Sequence, residues 1–434
     1  MTPAAGRCAL VVHHARTGAA ALNVVTAALD TDPRTRDTAV HFCRDVAELV
    51  AAIRAVDDAG ARPVVGWSFY STDFPAMADD LARVRAATAD VTRAVHVAGG
   101  VHATAEPLDT LRAGFDLVVV GEGEATLVEV MHAFATGGDP RALPGTAHRD
   151  EQGRLVSNGP GPRRPLDDFP GFNARYFKWN PLEITRGCVY ACTFCQTPYV
   201  FKARFRHRSV DNVREHAAAM ARHEARYMRF VTPTALSYGS DDETPNLAAV
   251  EALLAAVRGA LGREAKVYFG TFPSECRPEH VTEEALRILA RWCDNTSLII
   301  GGQSGSERLL EATRRGHTVG DVVRAVERCI AARIRPDVDF LFGLPGETED
   351  DQRATVALAE RLVAMGARVH SHGFMPLPGT PLRDAEPAPI GDELHAMLRR
   401  LEAQGKSYGP WRGHVVRADE LVRRRQTLRA LGRR

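Results

Sequence analysis

Between residues 8 and 135, short apolar runs alternate with longer stretches whose apolar positions recur every three to four residues. Runs at 8–13, 38–42, 63–68, 94–98 and 117–121 read as strands, and stretches at 18–30, 44–57, 74–88, 105–113 and 124–135 as helices. The strand runs lack strict alternation of apolar and polar residues, the pattern of parallel strands covered on both faces. Five such units predict an α/β fold with an open, doubly wound parallel sheet, whose ligands sit at the carboxyl ends of the strands.

The pattern lapses over residues 136–180, which are rich in Gly, Pro and Asp. Pro160, Pro162, Pro165 and Pro170 exclude a long helix there. A hairpin is expected at 150–156 around Gln152 and Gly153, and the segment reads as a linker. The alternation then resumes, with strands at 183–185, 228–232, 266–271, 297–301, 337–342 and 368–374. Helical patterns lie between them at 209–224, 246–261, 280–292, 319–333 and 347–365. Six units are too few for a closed eight-fold barrel and predict a partial (β/α)6 barrel of TIM type, with reactive groups on the loops that leave the strands. A helix at 391–404, a loop at 407–411 and an Arg-rich helix at 417–432 follow. The chain thus divides into 1–138, a linker at 139–180, a central domain at 181–384 and a helical extension at 385–434.

Composition narrows the function classes. Formal net charge is +1 over 434 residues, so no overall field draws the chain to nucleic acid or to an anionic membrane. Lys occurs only at 178, 202, 266 and 406, and the Arg residues are spread along the chain without an RNA-binding cluster. No basic segment precedes an apolar leader, and no apolar run is long enough to span a bilayer, which predicts a cytoplasmic protein. In a reducing compartment, clustered cysteines bind metal or act in catalysis more often than they form disulfides.

Three of the eight cysteines, Cys188, Cys192 and Cys195, fall within eight residues just after the first strand of the central domain. Zinc usually takes four ligands, and this loop holds no fourth Cys or His. A [4Fe-4S] cluster normally takes four cysteines, so three leave one iron open to another ligand. Zinc with a distant ligand, an open cluster and an incidental trio all remain open on spacing alone. In the N-terminal sheet three loops at carboxyl ends carry candidate ligand residues: Ser68 and Ser71; Gly99, Gly100 and His102; and Gly121, Glu122 and Gly123. Glycines there let backbone approach a ligand, and helix N-termini favour anionic groups.

The arrangement Cys-x3-Cys-x2-Cys after Arg186-Gly187, with aromatic Phe194 before the last Cys, resembles the radical S-adenosylmethionine (SAM) superfamily. Four further stretches are similar to that family: 300–306 (IGGQSGS), 315–318 (RGHT), 339–348 (DFLFGLPGET) and 374–381 (FMPLPGTP). Residues 99–104 (GGVHAT), with Pro107, and 116–124 (DLVVVGEGE) resemble the cobalamin-binding, flavodoxin-like domain that precedes many radical SAM domains. The resemblance implies a [4Fe-4S] cluster on Cys188, Cys192 and Cys195, whose fourth iron is chelated by SAM. The reduced cluster then breaks the C5′–S bond to give a 5′-deoxyadenosyl radical. It implies SAM contacts from Phe194, Gln303, Ser304, Gly305 and Gly343. The family's Gly-Gly-Glu run after the second strand is absent, which leaves Thr232 and Glu275 as the polar candidates for the SAM amino group. Cobalamin would lie against the three glycine loops. The Asp-x-His-x-x-Gly signature is absent, so its lower face would carry no histidine. The leading expectation is cobalamin-dependent methylation of an unactivated carbon in a small-molecule or peptide substrate, driven by an external reductant of flavodoxin or ferredoxin type. Cyclisation or rearrangement is the alternative, and a non-catalytic Fe–S or zinc sensor a further one. A methylthiotransferase is disfavoured because that family's first domain carries three more cluster cysteines, where this one has only Cys8 and Cys43. No catalytic residue is assigned.

Overall fold

The computed structural model describes residues 7–15, 17–202 and 204–432. The chain separates into two compact units, 1–180 and 181–434. Among the described residues no helix is long and apolar enough to cross a membrane.

The first unit is built on one seven-stranded sheet. Its strands are β1 Cys8–His13, β2 Val40–Cys43, β3 Arg62–Ser68, β4 Val95–Gly99, β5 Leu117–Val119, β6 Thr146–Arg149 and β7 Leu155–Ser157. Their order is β2-β1-β3-β4-β5-β6-β7. The first five are parallel, and β5, β6 and β7 pair antiparallel. The doubly covered reading of the apolar runs is visible in two cores. Val11 and Val65 enter one hydrophobic cluster, and Leu10, Val12 and Val64 enter the cluster on the opposite face. The order reverses between β1 and β3, the switch point where such sheets bind ligands.

Three local features differ from the expected pattern. The helix expected at 105–113 is two short helices, Val101–Ala105 and Pro107–Arg112, because Pro107 has no N–H to continue the first. The segment read as a linker folds with the first unit: its hairpin extends the sheet as β6 and β7, and Asn173 hydrogen-bonds Thr26 at 3.0 Å. The Arg-rich helix begins earlier than expected, at Trp411.

The second unit runs through β8 Leu182–Glu183, β9 Thr185–Arg186, β10 Arg206–His207, β11 Tyr227–Val231, β12 Lys266–Tyr268, β13 Ser297–Gln303, β14 Arg335–Phe342, β15 Arg368–Gly373 and β16 Ser407–Tyr408. Parallel pairing orders them β12-β11-β8 and β13-β14-β15-β16, and the bridge Cys276–Ile300 joins the two groups. The β9–β10 pair is antiparallel and frames the cysteine loop. The result is an open six-unit barrel with the two-residue β16 added at its edge. Strand β12 stops three residues before the expected end. The Asn295 side chain accepts from Phe269 N–H at 3.1 Å and donates to its carbonyl at 2.7 Å, taking a strand partner's place.

Candidate functional site

The cysteine loop leaves the barrel through Gly187, whose φ is +80° and whose Cβ, if it had one, would lie 2.0 Å from the Arg204 carbonyl oxygen. Only glycine fits that turn. Beyond it Cys188 and Cys192 are buried and Cys195 half-buried, with Tyr190, Phe194 and Phe205 packed around them. All three cysteines and Phe194 line a cavity of about 530 Å³. Thr232 and Gln303 line it from strand ends, Glu275 from the loop beyond β12 and Arg315 from the turn after helix Glu307–Ala312.

The thiols fit an iron–sulfur cluster better than a single ion. Three sulfurs on one zinc, at bonds of about 2.3 Å, would lie about 3.8 Å apart. Among the described residues, Asp339, His370 and His372 form the one group of three such donors whose atoms all lie within 4.8 Å of each other, so the thiols are spread more widely. Burial pushes the Cys188 thiol up to about 12, and burial likewise raises Cys195. A bare Cys188 thiol holds its proton, and metal ligation is what would remove it.

Two buried guanidiniums stand behind the loop. Arg315 Nη1 lies 3.6 Å from Cys192 Sγ, and Nη2 donates to the Gly301 carbonyl at 2.8 Å. Arg277 stacks on the Tyr190 ring at 3.6 Å and donates to the Arg315 carbonyl. Together they counter the charge of three thiolates. Glu275 is 3.7 Å from Arg315 Nη2. Burial pushes its carboxyl up to about 7, against the pull of Arg315. Gln303 donates to Glu275 at 3.4 Å from a left-handed backbone, φ +66°, at a bulge between Gly301 and Gln303. A non-glycine residue held there is aimed by its surroundings.

Residues 182–359 match the model of the radical SAM superfamily. This stretch is a radical SAM domain. An uncharacterized protein of Methanopyrus kandleri is 26% identical over 331 residues, 66% of this chain and 61% of that protein. A tRNA-2-methylthio-N(6)-dimethylallyladenosine synthase of Hydrogenovibrio crunogenus is 30% identical over 227 residues, 51% of this chain and 45% of that protein. The chain therefore spans less than two thirds of the length of either relative. A structure of the radical SAM methyltransferase TsrM from Kitasatospora setae, with cobalamin and a [4Fe-4S] cluster bound, superposes with a TM-score of 0.68. It is 20% identical and covers 87% of this chain and 74% of its own. The cobalamin-dependent SAM radical enzyme OxsB, with aqua-cobalamin bound, gives 0.63 at 18% identity, covering 92% and 56%. These likenesses show that the chain shares the overall fold of those two structures.

Within the radical SAM domain the expected SAM residues divide. Phe194, Thr232, Glu275 and Gln303 reach the cavity. Thr232 donates from its N–H to Ser274 and from its hydroxyl to the Thr234 carbonyl, at 3.2 and 3.0 Å. Ser304, Gly305 and Gly343 lie outside the lining. Ser304 Oγ meets Thr355 at 3.3 Å, and a Cβ on Gly305 would stand 2.5 Å from the Ala354 carbonyl, so both press against helix Glu349–Ala364. Gly343 gives its N–H to Glu347 at 2.7 Å. The sequence reading missed Arg315, Asp339, His370 and His372. The last two stand two apart on one strand, hence on one face, and that alternation was the available signal.

In the first unit the expected loops are tied to one another. Ser71 Oγ meets His102 Nδ1 at 3.1 Å, and the Gly121 N–H donates to Thr104 at 3.0 Å. Gly100 has φ +92°, and a Cβ there would lie 3.0 Å from both the Ser68 hydroxyl and the Phe69 carbonyl. Gly99 ends β4, and Glu122 and Gly123 open helix Gly123–Thr136. His102 is 1% exposed, with its ring 4.1 Å from Phe74, so it packs the loop from inside.

Proposed function

We propose that the chain is a cobalamin-dependent radical SAM enzyme that methylates an unactivated carbon. The observation that carries the reading is the three-cysteine loop opening into a cavity in which no fourth cysteine takes part among the described residues. Cys188, Cys192 and Cys195 would hold the [4Fe-4S] cluster and leave one iron for SAM. A cluster held there would supply the electron for cleavage of the C5′–S bond of SAM, and so a 5′-deoxyadenosyl radical able to take hydrogen from the substrate. Arg315 balances thiolate charge, Glu275 and Gln303 offer an acceptor and a donor to SAM, and Phe194 shields the loop. Cobalamin would rest on the Gly99–Gly100 and Gly121–Gly123 loops. With His13 and His102 4% and 1% exposed, neither offers it a lower ligand. Methylation is supported by the TsrM likeness, and cyclisation or rearrangement uses the same architecture.

The substrate class is a small molecule or peptide, and a flavodoxin or ferredoxin supplies the electron. Methylthiotransferase activity is disfavoured, although one relative has it. Cys43 pairs in register with His13, five residues along β1 from Cys8. At about 3.3 Å per residue along the strand and about 4.8 Å across to its neighbour, the two cysteines stand about 17 Å apart, too far to share a cluster.

Anaerobic reconstitution with iron, sulfide, dithionite and SAM tests the reading. The expected result is 5′-deoxyadenosine well above a Cys192→Ala control; equal amounts would overturn it in favour of a non-catalytic sensor. With hydroxocobalamin added, S-adenosylhomocysteine formed only when cobalamin is present supports methylation. A protein left colourless after desalting removes cobalamin from the scheme.

A further inference from the structure

Asp339 and His370 are register partners on β14 and β15, and His372 lies two residues further on the same face. Their polar atoms converge on one point of the cavity wall. His370 Nδ1 is 2.7 Å from Asp339 Oδ1, His372 Nε2 is 3.2 Å from His370 Nδ1, and His372 Nε2 is 3.9 Å from Asp339 Oδ1. A neutral imidazole has one donor and one acceptor nitrogen, and an ionised carboxylate only accepts. If His370 Nδ1 donates to Asp339, its single hydrogen also faces His372 Nε2. If it does not, two lone pairs meet at 2.7 Å. With His372 Nε2 unprotonated, the three atoms share at most one proton, and a cation at their centre satisfies all three.

We infer that Asp339, His370 and His372 bind a divalent first-row transition metal ion, with open coordination positions facing the cavity. With metal–ligand bonds of about 2.1 Å, ligand atoms lie about 3.0 Å apart at right angles and about 3.4 Å apart in a tetrahedron. The three separations here, 2.7, 3.2 and 3.9 Å, bracket those edges. Two imidazoles and one carboxylate suit zinc, iron, cobalt or nickel, not calcium or magnesium. The rings are already oriented. His370 stacks on Tyr408 at 4.4 Å, and His372 lies parallel to His414 at 5.6 Å. Ligand orientation of this kind tunes a metal's affinity. The open positions would take an oxygen or nitrogen donor of the substrate, such as a carboxylate or hydroxyl, and hold it in the cavity that the cysteines share. The site rests on no property of the cluster, so its test is independent of SAM cleavage.

The test uses the full chain, reconstituted with iron and sulfide, desalted, given zinc chloride and dialysed. Elemental mass spectrometry should find one zinc per chain beyond the cluster iron. Affinity should fall tenfold or more in His372→Ala and in Asp339→Asn, with iron and sulfide counts unchanged in both. The His372 ring is only partly buried, so its loss leaves the core filled. Zinc-edge absorption should give a nitrogen and oxygen shell without sulfur. Sulfur neighbours, or zinc kept by His372→Ala and lost from a Cys188, Cys192 and Cys195 triple alanine variant, would overturn the inference and assign the zinc to the thiols. Binding of no zinc, cobalt or nickel would also overturn it and leave the three residues to proton transfer.

Discussion

Arg315 sets its Nη1 3.6 Å from the Sγ of Cys192, 123 residues earlier in the chain. The guanidinium is 4% exposed, and its other contacts are the Gly301 carbonyl and the Glu275 carboxylate. A buried charge of this kind is costly unless paired, and removing one partner of such a set costs about 3–5 kcal/mol. Positive charge beside the cluster favours its reduced, more negative state. Arg315→Gln is therefore expected to destabilise the chain by about that amount and to lower the cluster's reduction potential. Arg315→Lys should restore part of the potential, since it keeps the charge and loses the planar fork. A redox titration followed by electron paramagnetic resonance measures this, and an unchanged potential in the glutamine variant would refute the electrostatic role.

The glycines of the 300–306 stretch make separable predictions. A Cβ on Gly301 would stand 2.8 Å from both Arg315 Nη2 and Glu275 Oε1. Gly301→Ala should split that pair, with overpacking of about 1–3 kcal/mol and a SAM affinity at least tenfold weaker. Gly305 faces the other way, onto the Ala354 carbonyl. Gly305→Ala should lower stability and leave SAM affinity per folded chain unchanged. Equilibrium dialysis with SAM, beside urea unfolding, separates the two; equal affinity losses would contradict the division of the loop.

Much of this arrangement was legible because apolar runs and helical periods report local faces. The units of both domains follow from residues such as Leu10, Val11 and Val12, whose continuous burial on alternate faces needs a sheet covered on both sides. What the sequence hid are neighbours set by strand register. Asp339 meets His370 from 31 residues away, and nothing in either strand alone announces the pairing. The motifs also mixed two kinds of constraint. Gln303 lines the cavity, and Gly301 backs onto Arg315 and Glu275, while Ser304 and Gly305 pack a helix, yet they are contiguous in sequence. The two-residue β16 is too short to leave a periodic signal.

Part of the family-like lettering is helix capping. Thr318 and Thr348 each close a capping box, with Asp321 and Asp351 as the returning partners. Replacing such a cap by alanine costs about 1 kcal/mol. Thr318→Ala and Thr348→Ala should each lower stability by that amount, and together by about twice it, since the two caps bond different aspartates. SAM cleavage per folded chain should stay at the parent rate. A large loss of cleavage in either variant, with the urea midpoint unmoved, would show that the threonine serves the cofactor instead.

Glu347 gives the fold a pH dependence of defined sign. It is 8% exposed and accepts the Gly343 N–H at 2.7 Å. Burial pushes its carboxyl up to about 7 from the ordinary 4.5, despite that hydrogen bond. Between those two values the folded chain keeps a proton that the unfolded chain has released. Raising the pH therefore favours unfolding: this group's contribution is complete below about 4.5 and gone above about 7. The full swing is on the order of 3 kcal/mol. Glu347→Gln keeps an acceptor for Gly343 and cannot ionise, so it should flatten the slope across that window and stabilise the chain at pH 8. Urea unfolding at a series of pH values measures it, and a variant whose stability falls with pH as steeply as the parent's would show that the slope arises from another group.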